Sequence, residues 1–175
     1  MPRIPAPITL KGKALQLLAA RDYTRAEMER KLAQWLRERA AREAEAEAAH
    51  LDTESQQADQ TAAIAETLDA MEAKGFLDDR RAAEALIHRR AGKLGNSRLQ
   101  QELRQKGLDA SAIEQAMDAL PGSELERARA IWQHKFGAPA GSPQERLKQM
   151  RFLASRGFSS AVVHRIVRGS GEDDA

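Results

Sequence analysis

Between Ile8 and Leu120 the chain contains no proline, although Pro2, Pro5 and Pro7 precede that stretch and Pro121, Pro139 and Pro143 follow it. A proline inside a helix removes a backbone donor and clashes with the preceding turn. So long a stretch without one, rich in Ala, Leu, Glu, Gln and Arg, reads as a series of helices. Aromatic residues make up only 4% of the 175 residues and cysteine is absent, so the core must come from Ala, Leu, Ile, Val and Met, without disulfides. That composition favours packed helices over sheets, and an all-α fold is expected.

Local signals mark the joints. Thr24 with Glu27, and Ser111 with Glu114, have the spacing of a capping box, in which hydroxyl and carboxylate satisfy orphan backbone donors reciprocally. Ser142, Pro143 and Glu145 combine an N-cap, a first-turn proline and an acid near the helix start. Asp78, Asn96 or Ser97, and Ser159 are further N-cap candidates. Gly75, Gly107, Gly137 and Gly157 follow runs containing Lys or Arg, as at helix ends that close on a left-handed residue with cations near the negative pole.

The chain also repeats. Residues 14–20, 83–88 and 128–133 align as first helices, 24–36, 97–106 and 143–156 as second helices, and 64–74, 111–120 and 160–167 as third helices. Leu32, Leu103 and Leu153 recur in the second helices, the last two opening the pattern Leu-x-x-Lys/Arg-Gly. The two spacings, 71 and 50, differ by 21, the length of an Ala/Glu/Gln-rich segment at 41–61. That segment reads as an insertion between the second and third helices of the first repeat. The expected organisation is an N-terminal arm at 1–9, three-helix modules at 10–77, 78–121 and 122–169, and a tail at 170–175. Three helices leave apolar side faces for neighbours to cover, so three tandem three-helix modules in an elongated or curved array are expected. The insertion contains AREAEAEAA, a strong helix former without an apolar stripe, expected to extend the second helix into solvent or to fray.

The net charge of +2 conceals a segregation. Residues 41–79 hold eleven acids and two bases, a local −9, and the remainder of the chain carries +11. An excess of that size attracts polyanions and makes their binding salt-dependent; dispersed cations solvating helix faces account for the same totals. The second helices hold the densest candidates: Arg25, Arg30 and Lys31 in the first, Arg98, Arg104 and Lys106 in the second, Arg146, Lys148, Arg151 and Arg156 in the third. Leu99 and Leu103 mark the buried stripe of the middle helix and leave Arg98 and Arg104 on its flanks. Aligned modules would form a discontinuous positive strip, which Arg89, Arg90 and Lys93 would extend. Such a strip suits a phosphate backbone or an acidic protein groove but carries no base code, so any DNA contact should be weak and sequence-independent.

Catalysis finds little support. His50, His88, His134 and His164 stand apart without metal-ligand spacing, and phosphate-cradling and nucleophile-elbow motifs are absent. Asp78 and Asp79 could bind Mg²⁺ or act as acid and base, but a helix cap explains them with less machinery. Gly92, Gly95 and Asn96 read as an interhelical turn. Trp35, Trp132, Phe136, Phe152 and Phe158 could stack bases, though their helical spacing favours core packing. No catalytic residue, metal or cofactor is expected. With no apolar run long enough to span a membrane and no signal-like start, a cytoplasmic location without membrane contact is expected, as is a monomer.

Four segments, ALQLLAARDYTRAEMERKL, MEAKGFLDDRRAAEALIHRR, GKLGNSRLQQELRQKGLDASAIEQAMDAL and KFGAPAGSPQERLKQMRFLASRGFSSAVVHRIVRG, together resemble the RecX family of bacterial recombination regulators. RLQQELRQKGL and RLKQMRFLASRGFS are the most specific. The resemblance implies a non-catalytic protein of DNA repair and the SOS response that binds RecA recombinase and its single-stranded DNA filament. It implies lodging along the filament groove and lowering of filament extension, ATP hydrolysis, strand exchange and coprotease activity. The sequence departs from the family pattern at Ala82, where an aromatic is common, in the first repeat, which lacks the Lys/Arg-Gly ending, and in the acidic insertion. The competing reading is a helix-turn-helix-like DNA-binding protein with one recognition helix in the major groove.

Overall fold

The computed structural model describes residues 8–47 and 53–169. The residues of the expected arm before Ile8, His50, the centre of the insertion and the tail lie outside the described residues. Among the described residues there are nine α-helices and no strand. They are α1 (Leu10–Leu18), α2 (Arg25–Glu47), α3 (Thr53–Ala73), α4 (Asp79–Arg90), α5 (Asn96–Gln105), α6 (Ala110–Asp118), α7 (Glu124–Lys135), α8 (Pro143–Ser155) and α9 (Ser160–Arg168). The chain divides into two compact units at Ala82 and Ala83.

In the first unit, Met28 and Leu32 on α2 and Ile64, Leu68 and Met71 on α3 follow helical spacing, so each helix turns one apolar edge inward. Ala14, Tyr23 and Leu77 complete that core. The inserted residues lengthen α2, one of the two expected outcomes, and lengthen α3 as well, which the sequence reading does not anticipate; among the residues whose burial is described, the buried positions stop at Leu32 on one helix and begin at Ile64 on the other. Arginines close the polar side. Arg25 pairs with Asp69 at 2.7 Å and Glu72 at 2.6 Å. Arg81 pairs with Asp22 at 2.6 Å and donates to the Gly75 and Phe76 carbonyls. Arg21 pairs with Glu27 at 3.1 Å while its guanidinium lies 3.6 Å from the Tyr23 ring centre.

The second unit holds two cores. One comprises Ala83, Leu86, Ile87 and Ala91, Leu99 and Leu103, and Leu108, Ile113 and Ala116. The other comprises Ala128 and Trp132, Leu153, and Phe158, Val163, Ile166 and Val167. A register of 50 superimposes their later helices: Leu103, Leu108, Ile113 and Ala116 correspond to Leu153, Phe158, Val163 and Ile166. The connecting turns match as well. Leu108 donates to the Leu103 carbonyl and Phe158 to that of Leu153, across Gly107 and Gly157, whose φ values are 86° and 81°. The same register places buried Gln149 opposite Leu99. Gln149 is satisfied there, accepting from Trp132 Nε1 at 2.8 Å and donating to the Ala138 carbonyl at 3.2 Å.

Most caps agree with the sequence reading. Thr24 and Glu27 form their box, Asp78 accepts from Arg81 N, and Ser142 accepts from Glu145 N. Glu145 reaches back to Gly141 N rather than to Ser142 N. Two expectations are corrected. Asp109, not Ser111, caps α6, because a carboxylate one residue before the first turn complements the helix dipole better than a hydroxyl within it. The N-cap of α5 is Gly95, not Asn96 or Ser97, for the steric reason given below. Ser123 and Glu126 form a complete capping box that the same Ser-x-x-Glu signal announces.

Candidate cationic interface

The candidate cations separate according to what surrounds them. In the first unit Arg25 is held by two carboxylates and ties α2 to α3; its backbone N–H also donates to Asp79 at 2.6 Å. Asp78 caps α4 and Asp79 receives the start of α2, so the acidic pair acts as two helix anchors. Arg30 and Lys31 are exposed on α2, with Arg30 Nε donating to the Ala26 carbonyl.

In the second unit, α5 begins on the backbone of the turn after α8. Gly95 N donates to the Arg156 carbonyl at 2.9 Å and Ser97 N to the Gly157 carbonyl at 3.2 Å. A Cβ on Gly95 would stand 2.3 Å from the Gly157 carbonyl, and one on Gly157 would stand 2.6 Å from the Arg98 backbone N. Neither position admits a side chain, so the two turns touch as bare backbone. Glu124 locks the contact, accepting from Asn96 N at 2.8 Å and from Ser159 Oγ at 2.9 Å. Arg127 donates to Asn96 Oδ1 and to the Gly122 carbonyl, while its buried Nε has no partner among the described residues. Burial pushes the Arg127 guanidinium below its ordinary pKa against the attraction of Glu124, yet an arginine remains charged at any physiological pH.

This junction brings Lys93, Arg98 and Arg156 to one region of the unit. Lys93 and Arg156 line a common cleft, and Arg98 bonds Gln101 at 2.9 Å. Arg104 is exposed six residues further along α5, roughly 120° around the helix from Arg98 at 3.6 residues per turn. The two therefore flank the buried Leu99–Leu103 stripe without forming a line. Arg89 bonds the Ala85 carbonyl and Arg90 faces Glu102 at 3.4 Å; Lys106 is half-buried. On α8, Arg146, Lys148 and Arg151 are exposed and have no carboxylate partner among the described residues, with the apolar Leu147 exposed beside them. The register of 50 pairs Arg98 with Lys148 and Lys106 with Arg156. The register of 71 puts Glu27 and Trp35 at the matching places in the first repeat, so the cation pattern belongs to the second and third repeats.

Sequence reasoning weighs His134 only as an isolated histidine and does not single out Lys135, which with it joins Lys93 and Arg156 around the cleft, or Glu124 and Arg127 at the junction. Their only sequence signal is position, at the end and the start of the same helix. Among the described residues no cluster of His, Cys, Asp or Glu could hold a metal ion, and no helix is long and apolar enough to cross a membrane. His88, His134 and His164 are exposed. Trp132 and Phe158 are buried in core, as their spacing indicates.

Comparisons with known proteins converge. Residues 78–117 match the family model of the RecX second three-helix domain, and residues 123–167 that of the third. The regulatory protein RecX of Leptothrix cholodnii is 42% identical over 161 residues, covering 92% of this chain and 88% of the relative. That of Ralstonia nicotianae is 37% identical, covering 94% and 89%. The crystal structure of RecX from Lactobacillus salivarius superimposes with a TM-score of 0.62 at 18% identity, covering 91% of this chain and 92% of that one.

Proposed function

The chain belongs to the RecX family of regulatory proteins, and on that premise we propose that it is a non-catalytic regulator of RecA recombinase. It binds the recombinase filament on single-stranded DNA and lowers filament extension, ATP hydrolysis and strand exchange. The observation that carries the interface is the contrast in charge compensation. The arginines that hold the first unit together face carboxylates, whereas Arg146, Lys148 and Arg151 of α8 have none among the described residues. Cations exposed without partners keep their full field for an outside polyanion, and binding them to phosphates releases counterions. The absence of a base-reading motif makes this contact sequence-blind.

The test is a titration of purified recombinase, saturated with single-stranded DNA and ATP, with the full chain. Substoichiometric amounts should slow ATP hydrolysis, and no effect over a wide concentration range would remove the proposal. Reversing Arg98 and Arg104 to Glu should weaken inhibition several-fold, and reversing Lys11, an exposed cation outside the candidate set, should not. A sequence-selective footprint on naked duplex DNA would instead favour the helix-turn-helix reading.

A further inference from the structure

The cleft in the second unit has a composition that solvation of a helix face does not explain. It is an open cleft of about 350 Å³, within the range of roughly 300–1,000 Å³ typical of small-molecule sites. Gly92 and Lys93 of the loop after α4, Ala130, Ile131, His134 and Lys135 of α7, and Phe152 and Arg156 of α8 and its cap line it. Its apolar part is formed by Ala130, Ile131 and Phe152, and its polar part is entirely basic. No carboxylate lines it, and Lys93, Lys135 and Arg156 have no acidic partner among the described residues. Like charges gathered around a low-dielectric wall repel one another and focus a positive potential into the cleft.

The Arg156 guanidinium lies 3.8 Å from the centre of the Phe152 ring, and Phe152 meets Phe136 edge-to-face at 5.1 Å. The arginine is thus anchored on an aromatic shelf while its charge borders the cleft. Its carbonyl accepts from Gly95 N at 2.9 Å, just before Gly157. A ligand matching these features carries a phosphate for the cations and a planar ring for the apolar wall. We infer that this cleft is a binding site for a nucleoside phosphate, taken either as a free nucleotide or as one unit of a single strand. The site acts on its own nucleotide and does not depend on the recombinase, so it can fail while the proposed function stands.

The test uses the full-length chain without recombinase. Fluorescence anisotropy measures binding of a labelled twelve-residue deoxythymidine oligonucleotide, and equilibrium dialysis measures labelled thymidine monophosphate and ATP. Ala130 is exposed on α7, so Ala130→Trp fills the cleft without altering charge and should weaken binding about tenfold. Lys135→Glu should weaken it at least as much, and Arg156→Lys, which keeps the charge and loses the planar guanidinium stacked on Phe152, by a few-fold. Arg129→Glu makes the same charge change on α7 outside the cleft and should alter binding less than twofold. Circular dichroism melts establish that each variant is folded. Variant-sensitive binding of the mononucleotides identifies a free-nucleotide site, and variant-sensitive binding of the oligonucleotide alone identifies a strand site. The proposal is overturned if neither probe binds, if Ala130→Trp binds as the parent does, if Arg129→Glu loses as much as Lys135→Glu, or if polyglutamate of equal length displaces the oligonucleotide equally well.

Discussion

Arg25 and Lys148 are both basic residues on a second helix of a repeat, yet they do opposite work. Arg25 sits between Asp69 and Glu72 and fastens two helices, whereas Lys148 faces solvent with no acid beside it among the described residues. The first unit uses its arginines at 21, 25 and 81 as internal ties. The second unit obtains cohesion at its junction from bare backbone and from Glu124, which leaves α8 free to present charge. Availability of a cation is therefore set by the neighbouring helix, which a count along the sequence does not register.

Glycine substitutions test this difference most severely. Gly157→Ala combines a left-handed φ of 81° with a backbone contact at 2.6 Å, so strain and overpacking together should cost about 2–5 kcal/mol. Gly75→Ala, at φ 70° with open space around it, should cost only about 1 kcal/mol. Denaturant melts of the two variants measure the gap, and equal costs would mean the junction can move apart.

Exchanging the odd core residue comes next. Gln149→Leu imitates Leu99 but strands the Trp132 N–H and the Ala138 carbonyl, which should destabilise by about 1–3 kcal/mol. A neutral or stabilising result would show that this core tolerates the apolar pattern of its neighbour. Arg25→Ala should cost about 1 kcal/mol, since its two ion pairs are partly exposed, and Lys148→Ala less than about 0.5 kcal/mol. Recombinase inhibition should reverse that order, with the lysine variant losing more.

The smallest effect is a pH dependence. The Ser123 backbone N–H, aided by the Ser123 hydroxyl, holds the Glu126 carboxyl below its usual value. Its contribution to stability is complete above the ordinary carboxylate range and disappears as pH falls through the lowered folded value. The Tm gap between the parent and Glu126→Gln should therefore be present at pH 7 and narrow once the pH falls below the ordinary carboxylate range.

Periodicity, caps and glycines carried most of the fold into the sequence, because each is a local demand of the helix. The nine helices among the described residues fall where the repeat alignment places them, with ends shifted by a few residues and α2 and α3 longer through the insertion. The cap of α6 is ambiguous in the sequence because Asp109 and Ser111 are both good caps, and only geometry decides between them. Gly95 could not be recognised as a steric necessity, since the backbone that excludes a side chain there belongs to a turn 62 residues later. The site was legible as residue types only. Lys93 and Arg156 stood among the candidates, but their meeting with His134 and Lys135 depends on packing across three segments. Arg25 looked as available as Lys148 because its partners lie 44 and 47 residues away.

The most direct measurement is the salt dependence of binding to the recombinase filament on single-stranded DNA, compared between the parent chain and the triple variant Arg146→Glu, Lys148→Glu, Arg151→Glu. Each phosphate contact contributes about one unit of slope when log affinity is plotted against log salt. The variant should bind at least tenfold more weakly at low salt, with a slope shallower by roughly two to three. An unchanged affinity and slope would contradict the claim that the uncompensated cations of α8 grip the filament.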